Sequence, residues 1–183
     1  VYHVNPPCHL PPEVPVEVAN LALVAKTLRS AACPITIDLE DPGTSRNSGH
    51  IVHLGVPGST WAINLQRTGF SLGPVASMLE CTPVLCQDAK AVLRLLSGRL
   101  QIRPKKVFCL RTAFRLLGAP PGIDIPIHGA RYSLKATLEQ ALSNVGLTRI
   151  SELEMALIPL MVQIEQNGVP IDVNRLSHLI AKT

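Results

Sequence analysis

The sequence predicts an α/β domain in which a mixed sheet is flanked by helices. Three strand candidates come first, at residues 35–40, 51–56 and 61–65, and helices then alternate with short strands. That order is typical of a mixed sheet. Hydrophobic residues make up 46% and charged residues 16% of the 183 residues. This is the composition of a globular chain long enough to bury a core without disulfides or metals.

The first 30 residues predict an extended arm followed by a helix. Residues 1–16 contain five prolines, and we interpret them as an extended arm rather than a packed element. Residues 17–30 predict a helix, because aliphatic residues recur along one stripe at Leu21, Leu23, Val24 and Leu28.

The strand candidates carry a pair of acidic residues. Residues 35–40 alternate as Ile-Thr-Ile-Asp-Leu-Glu, so Asp38 and Glu40 are predicted on the same face of a strand. Residues 51–56 and 61–65 predict a hairpin around Pro57-Gly58-Ser59.

The remaining segments predict helices that alternate with two short strands. Asp88 is a candidate N-cap for a helix ending near Leu96, and Ser133 for another ending near Ser143. The other elements are a helix at 72–79, strands at 83–86 and 107–110, a helix through Leu117, a loop at 118–129, a helix at 151–166 ended by Gly168, and a last helix capped by Asp172. We divide the chain into an arm at 1–16, a domain at 17–150 and a C-terminal helical segment at 151–183.

Positive charge is concentrated in the middle of the chain. The net charge is +4, but residues 88–135 alone hold ten Lys or Arg, including Arg131 and Lys135, and only two acids. Such a cluster favours contact with a polyanion such as a nucleic acid backbone; a solvated surface without a partner is the alternative. The candidate nucleic-acid-binding residues are Lys90, Arg94, Arg99, Arg103, Lys105, Lys106, Arg111 and Arg115.

The cysteines indicate a reducing, intracellular compartment and no metal site. There are five, an odd number, with no CxxC pair and no spacing typical of metal ligands. We interpret them as small buried residues. His50 and His53 would face opposite sides of a strand, which argues against a metal site there. No apolar run approaches ~20 residues, so no membrane span is predicted.

The most specific stretch is Glu154–Leu176. At fixed spacing it contains Glu154, Pro159, Glu165, Asn167, Gly168, Val169, Ile171, Asp172 and Leu176. This stretch resembles the segment that joins the exonuclease and polymerase domains of family A (bacterial polymerase I-like) DNA polymerases. The local alternative is an ordinary helix-turn-helix with an Asn-Gly turn and a capping Asp.

Four upstream stretches follow in the order that the resemblance implies. Asp38-Leu39-Glu40 resembles the first exonuclease motif, Asp-x-Glu, and Cys86–Leu93 resembles the second, Gly-His-Asn-x-Lys-x-Asp-Leu. Val107-Phe108-Cys109 resembles a Val-Phe-Asp-Thr step from strand to helix, and Tyr132-Ser133-Leu134 resembles the start of a Tyr-Ser-Leu-x-x-Leu helix. The resemblance covers about residues 34–178. It implies a ribonuclease H-like mixed sheet flanked by helices, with a C-terminal helical linker segment.

The resemblance also implies a two-metal hydrolysis for which ligands are missing. Exonucleases of this type, called DEDD, hold two divalent cations ~3.5–4 Å apart with four carboxylates. Asp38 and Glu40 remain as vestigial catalytic and metal-binding residues. The second-motif aspartate falls on Val92, and Asp88 stands four residues earlier, at the family's Asn position.

The third motif, Tyr-x-x-x-Asp, has no match between Ser143 and Glu154, where Glu152 is a conceivable substitute. Cys109 stands at the Asp of Val-Phe-Asp. We therefore expect no significant 3′–5′ exonuclease activity and no cofactor. Mg²⁺ or Mn²⁺ would bind, at Asp38 and Glu40, only if residual activity persists.

Three functions stay open. The first is a catalytically inactive domain of a family A DNA polymerase, with a structural or nucleic-acid-binding role beside the polymerase domain. The second is a free-standing structural subunit of an organellar ribosome or another ribonucleoprotein, with RNA and proteins as partners. The third is an active metal-dependent 3′–5′ exonuclease. A mitochondrial or other organellar location is favoured over a nuclear one, and no membrane is involved.

Overall fold

The computed structural model describes residues 14–16, 20–39, 51–120 and 130–168. The elements are, in chain order, β1 (Val14–Val16), α1 (Leu21–Ser30), β2 (Ile35–Leu39), β3 (Ile51–Val56), β4 (Ser59–Asn64), α2 (Pro74–Cys81), β5 (Val84–Cys86), α3 (Ala89–Gly98), β6 (Val107–Cys109), α4 (Leu110–Leu116), α5 (Ala130–Asn144) and α6 (Thr148–Asn167). Within these ranges, no helix is long and apolar enough to cross a bilayer.

A mixed sheet organises the described residues. Its strand order is β1-β4-β3-β2-β5-β6, with β2 antiparallel to β3 and parallel to β5, and β5 parallel to β6. Ile37, Cys86 and Cys109 lie side by side in register on the three parallel strands. The carboxyl ends of β2, β5 and β6 therefore meet at one edge of the sheet. The predicted α/β class with a mixed sheet flanked by helices is confirmed.

Aliphatic side chains fill the core between the sheet and the helices. Ile35 and Ile37 of β2, Leu85 of β5 and Leu96 of α3 are fully buried. These side chains belong to one continuous cluster of buried residues that also includes residues of α1, α2, α4, α5 and α6. Burial of apolar surface at roughly 25 cal/mol per Å² is the main force that holds such layers together.

The predicted hairpin is present with a tighter turn. β3 and β4 pair antiparallel from Ile51 with Asn64 to Val56 with Ser59, so the turn consists of Pro57 and Gly58 alone. Gly58 adopts a φ of +82°, in the left-handed region that glycine tolerates without steric cost. Ser59, predicted as part of the turn, belongs to β4.

The interpretation of residues 1–16 as an arm without packed structure is wrong for Val14–Val16. These residues form β1, which pairs parallel with Trp61–Ile63 of β4 at the edge of the sheet. An edge position accommodates Pro15, because proline has no backbone N–H to donate and an edge strand has one side without a neighbouring strand. Residues 1–13 lie outside the described residues.

The first three helices follow the sequence signals closely. α2 begins at Pro74 rather than Leu72, since proline is favoured at the first helical position and Gly73 before it has a φ of +49°. α3 begins after Asp88, whose side chain accepts the backbone N–H of Ala91, which confirms the predicted cap. α1 is described from Leu21, and residues 17–19 of its predicted start lie outside the described residues.

The predicted N-cap of α5 at Ser133 is wrong. α5 begins at Ala130, and the Ser133 hydroxyl donates to the backbone carbonyl oxygen of Ala130 inside the first turn. The helix extends further back because Arg131 and Tyr132 make long-range contacts with the sheet. Local capping preference was outweighed by these contacts.

α6 completes the core and spans the predicted boundary between residues 150 and 151. Its Met155, Ile158 and Val162 side chains belong to the buried cluster, and the helix packs against α3, α4 and β6. It passes through Pro159 and ends at Gly168, which has a φ of +68°. The predicted termination at Gly168 is confirmed, whereas Asp172 and its predicted helix lie outside the described residues.

Candidate functional site

At the carboxyl edge of the sheet, Asp38 of β2 is paired with Arg131 of α5. The Nη2 atom of Arg131 lies 2.7 Å from Oδ2 of Asp38 and 3.5 Å from Oε1 of Gln87, which follows β5. The Arg131 side chain is 0% exposed and that of Asp38 is 24% exposed. The positively charged guanidinium of Arg131 therefore lies against the carboxylate of Asp38, which is the acid of Asp38-Leu39-Glu40 that the structure describes.

Arg131 lies in a part of α5 that is unfavourable for a cation, which indicates that the ion pair with Asp38 stabilises its position. Arg131 lies in the first turn of α5, where the helix dipole disfavours a cation. A buried guanidinium is costly unless it is paired and hydrogen-bonded. Arg131 was counted in the basic cluster that predicts polyanion contact. That interpretation is wrong for this residue, because its side chain is buried.

Both carboxylate oxygens of Asp38 accept a hydrogen bond from the protein. Oδ1 accepts the backbone N–H of Leu39 at 3.0 Å, and Oδ2 accepts from Arg131. Each oxygen keeps a further lone pair, but a divalent cation there would lie close to the guanidinium charge. Glu40, the other predicted metal ligand, lies outside the described residues.

The second-motif positions supply no carboxylate that faces Asp38. Val92 of α3, at the position where the resemblance implies an aspartate, is 1% exposed and part of the apolar core. Asp88 instead caps α3, and its Oδ2 atom lies 2.6 Å from Nη1 of Arg111. Asp88 therefore has a helix-capping and ion-pairing role in the structure.

Two thiols lie in register at this edge of the sheet, Cys86 at the end of β5 and Cys109 at the end of β6. Both are buried and free. Burial raises the pKa of the Cys86 thiol well above its ordinary value; the Cys109 thiol raises it further, while Arg131 acts in the opposite direction. Cys86 and Cys109 therefore fit the interpretation as small buried residues, whereas Cys81 is exposed.

Tyr132 anchors the start of α5 to β3 and to the residue that precedes β2. Its hydroxyl oxygen lies 2.9 Å from the carbonyl oxygen of Pro34 and 3.0 Å from that of Gly55, and it can donate to one of them at a time. Burial raises the pKa of Tyr132 to about 12. Arg131 and Tyr132 together fix the start of α5 to Asp38 near the carboxyl end of β2, to the residue before β2 and to β3.

The described residues do not fit a pair of divalent cations. No group of three or more His, Cys, Asp or Glu side chains in the described ranges is arranged to hold a metal ion. Residues 145–147 join α5 directly to α6, so no further helix is present there to carry a third motif. Glu152, the conceivable substitute, lines a cleft that it shares with Lys105 and Lys106 rather than with Asp38.

Part of the predicted nucleic-acid-binding set is engaged in ion pairs. Glu165 of α6 accepts from Lys90 at 2.8 Å and from Arg94 at 2.6 Å, and these two hydrogen bonds lower the pKa of the Glu165 carboxyl. Arg111 is paired with Asp88. The eight candidates therefore do not form one continuous surface of unpaired cations.

The other candidates lie mainly between α3 and β6. The Arg99 guanidinium lies over the Phe70 ring, 5.8 Å from its centroid. Lys105 and Lys106 precede β6 and line a cleft of about 800 Å³ between β6, α5 and α6. Arg103 precedes them, and Arg115 is exposed on α4. These side chains are the part of the set best placed to meet a polyanion.

Sequence reasoning missed two residues that organise the site. Arg131 contacts Asp38 across 93 positions of sequence, and Glu165 contacts Lys90 across 75. Arg131 does immediately precede the Tyr132-Ser133-Leu134 motif, and Glu165 belongs to the C-terminal signature. Nothing in the local pattern, however, indicates which partner either would take.

Solved structures with a similar fold include nucleases. The catalytic core of RRP6 from Trypanosoma brucei is similar to the chain at a TM-score of 0.61 and 15% identity, over 81% of this chain and 52% of that one. RNase D of Escherichia coli, an exoribonuclease involved in structured RNA processing, gives a TM-score of 0.66 at 12% identity, over 84% and 51% of the two chains. NrnC of Brucella melitensis with bound Mg²⁺ gives a TM-score of 0.58 at 18% identity, over 80% of this chain and 93% of that one.

These likenesses show the fold alone, an α/β fold of the ribonuclease H-like type. The chain spans about half the length of the RRP6 core and of RNase D. No protein-family model and no curated protein sequence matches it.

Proposed function

We propose that this chain is an exonuclease-fold domain that no longer hydrolyses nucleic acid and acts as a structural or nucleic-acid-binding module. The observation that carries the proposal is the ion pair between Asp38 and the fully buried Arg131. A carboxylate that would face a metal ion in an active exonuclease here faces a cation that belongs to the protein.

The electrostatics of the pair explain why hydrolysis is not expected. Two divalent cations ~3.5–4 Å apart need several carboxylates to offset their mutual repulsion. The position of one such carboxylate is held by the buried Val92 side chain. The guanidinium of Arg131 adds a positive charge where negative charge is required. Asp38 and Glu40 are then remnants of a metal site, and no metal cofactor is required.

A nuclease assay tests this proposal. The purified chain is incubated with end-labelled single-stranded DNA and RNA in Mg²⁺ or Mn²⁺, with RNase D in parallel. We expect no shortening of either substrate above the level given by Asp38→Asn. Degradation by the unaltered chain that disappears in Asp38→Asn would show an active exonuclease and overturn the proposal.

The host of the domain is proposed from the C-terminal signature. Nine positions of Glu154–Leu176 match the segment between the exonuclease and polymerase domains of family A DNA polymerases, and we propose that the chain belongs to such a polymerase. Polymerase motifs encoded downstream of residue 183 would support this host. A chain without them, which sediments with an organellar ribosome or another ribonucleoprotein, would support the alternative of a repurposed subunit.

Contact with nucleic acid is proposed for the basic residues on and beyond α3. NrnC, which shares the fold, has been solved with pGG bound. Arg103, Lys105, Lys106 and Arg115 are exposed or line a cleft. Contacts of this kind go to phosphates, so we expect affinity without sequence readout. An organelle that contains such a polymerase or ribonucleoprotein is the location that fits both hosts.

A further inference from the structure

The outward face of α6 carries an apolar stripe that no described element covers. Its members, hereafter the α6 seam, are Ile150 (47% exposed), Leu153 (59%), Leu157 (36%), Leu160 (50%) and Ile164 (53%). Their spacing alternates between three and four residues over two heptads, which is the a/d repeat of a coiled coil. Single exposed hydrophobic residues are ordinary, but a continuous stripe of five marks an interaction surface.

The opposite face of α6 is the one that packs on its own domain. Ser151, Met155, Ile158 and Val162 are buried, and they occupy the b and f positions when the seam residues occupy a and d. The f position lies directly opposite an a/d seam. The domain therefore lies behind the helix and leaves the seam accessible to a second helix.

We propose that the occupant of the α6 seam is the α6 helix of a second copy of this chain, in parallel orientation. The a positions are Ile150, Leu157 and Ile164, and both d positions are leucine. Isoleucine at a with leucine at d favours parallel two-stranded packing. No polar residue occupies an a or d position between Ile150 and Ile164, and Pro159 lies at the c position, outside the seam.

The charges beside the seam fit the same arrangement. Arg149 and Glu154 take the g and e positions on its two sides, five residues apart. In a parallel pair, the g residue of one helix meets the e residue five positions later on its partner. Arg149 of each copy would then meet Glu154 of the other. Neither residue takes part in an ion pair within the described parts of the chain.

The length of the seam sets the expected strength of association. Specific interfaces bury at least about 1,000 Å² in total, and two heptads form a short contact at that lower limit. We expect a dissociation constant on the order of 1–100 µM rather than a permanent dimer. The inference goes beyond the proposed function, because dimerisation through α6 does not depend on the state of the Asp38 site.

Sedimentation equilibrium of the full chain, measured from low to high micromolar concentration, tests the proposal. We expect a monomer–dimer equilibrium that Leu157→Lys at the centre of the seam abolishes. Leu23→Lys is the matched control, because Leu23 is 63% exposed on α1, away from the seam. An exposed position tolerates lysine, and circular dichroism verifies that both variants are folded. A chain that stays monomeric at all concentrations would overturn the proposal and leave the seam to a different protein.

Three further variants test the orientation. In a Cys8→Ser, Cys81→Ser background, Ile150→Cys should form a disulfide-linked dimer on mild oxidation, because equal positions face each other only in a parallel pair. Arg149→Glu should weaken dimerisation several-fold, and addition of Glu154→Arg should restore it. A dimer that does not cross-link through Ile150→Cys, and whose dissociation constant is unchanged by both charge substitutions, would overturn the parallel arrangement.

Discussion

At the scale of single residues, the buried Arg131 determines the charge that surrounds Asp38. Its guanidinium connects the first turn of α5 to the end of β2 through Asp38 and lies near Gln87 after β5. A side chain in this position stabilises the fold by charge pairing that needs no bound ion. The guanidinium also offsets the negative charge of Asp38, so a cation that approached this carboxylate would meet a positive charge beside it.

Substitution of Arg131 by methionine should be strongly destabilising. Removal of one partner of a buried pair leaves a partly buried carboxylate without its counter-charge, and we expect a loss of about 3 kcal/mol in the free energy of unfolding. Asp38→Asn in the same chain should recover part of that loss. Urea denaturation of the two single variants and the double variant measures the coupling. Arg29→Met, at an exposed position of α1, is the control. An equal loss of stability in both methionine variants would contradict a stabilising ion pair between Arg131 and Asp38.

Tyr132 gives the stability of the protein a dependence on alkaline pH. The folded-state pKa of about 12 exceeds the ordinary value of ~10, so the folded state favours the neutral phenol. The stabilising contribution is complete below pH ~10 and is lost as the pH rises from ~10 to ~12. Tyr132→Phe should lose roughly 1–2 kcal/mol of stability at pH 7.

The difference between the unaltered chain and Tyr132→Phe should therefore shrink between pH ~10 and ~12. Guanidinium unfolding midpoints measured across this range provide the test. Tyr2→Phe, which changes the other tyrosine of the chain, is the control. A difference that stays constant across the range would show that the Tyr132 hydroxyl is not the group responsible.

At the scale of elements, the C-terminal turn of α6 holds α3. Glu165 bonds Lys90 and Arg94, and the Gln166 side chain donates to the Arg94 carbonyl oxygen and lies within hydrogen-bonding distance of the Ser97 hydroxyl. These interactions hold two basic residues of the candidate nucleic-acid surface against an acid of the same molecule. An anionic ligand that uses Lys90 or Arg94 has to compete with Glu165.

Glu165→Gln should therefore increase affinity for single-stranded nucleic acid. Each additional phosphate bound by a released cation steepens the dependence of log K on log salt by ~0.7 for a single strand, and Lys90 and Arg94 could each bind one. Fluorescence anisotropy at several salt concentrations measures the slope. Glu139→Gln removes the same charge from the Lys135 pair on α5, outside the candidate set. Identical slopes for both variants would argue against Lys90 and Arg94 as phosphate ligands.

At the scale of the whole molecule, sequence patterns predicted the sheet better than the contacts between its parts. Apolar alternation placed β2 to β6 within a few residues, and the Asp88 cap placed the start of α3. Both signals are local. β1 was missed because three residues that include a proline carry no pattern, and because their pairing with β4 spans more than forty positions.

The same limit applies to the candidate site. Residue identity alone shows that Val92 and Cys109 are not carboxylates, and the proposal that metal ligands are missing rests on that sequence observation. The partner of Asp38 was not visible, because a contact over 93 positions depends on how α5 packs across the sheet. The eight basic residues likewise formed a cluster in sequence, while the fold pairs three of them with acids.

The position of α6 at the end of the described chain has a consequence for synthesis. β6 is an edge strand of the sheet, and the Met155 sulfur accepts the backbone N–H of Cys109 at its outer side. At 5–20 residues per second, translation needs roughly one to four seconds to pass from Asn144 to Val162. During that interval α6 has not yet packed against β6, and an exposed edge strand pairs readily with other chains. A ribosome-bound chaperone that covers β6 for those seconds would therefore reduce aggregation of this domain more than a chaperone that acts after release.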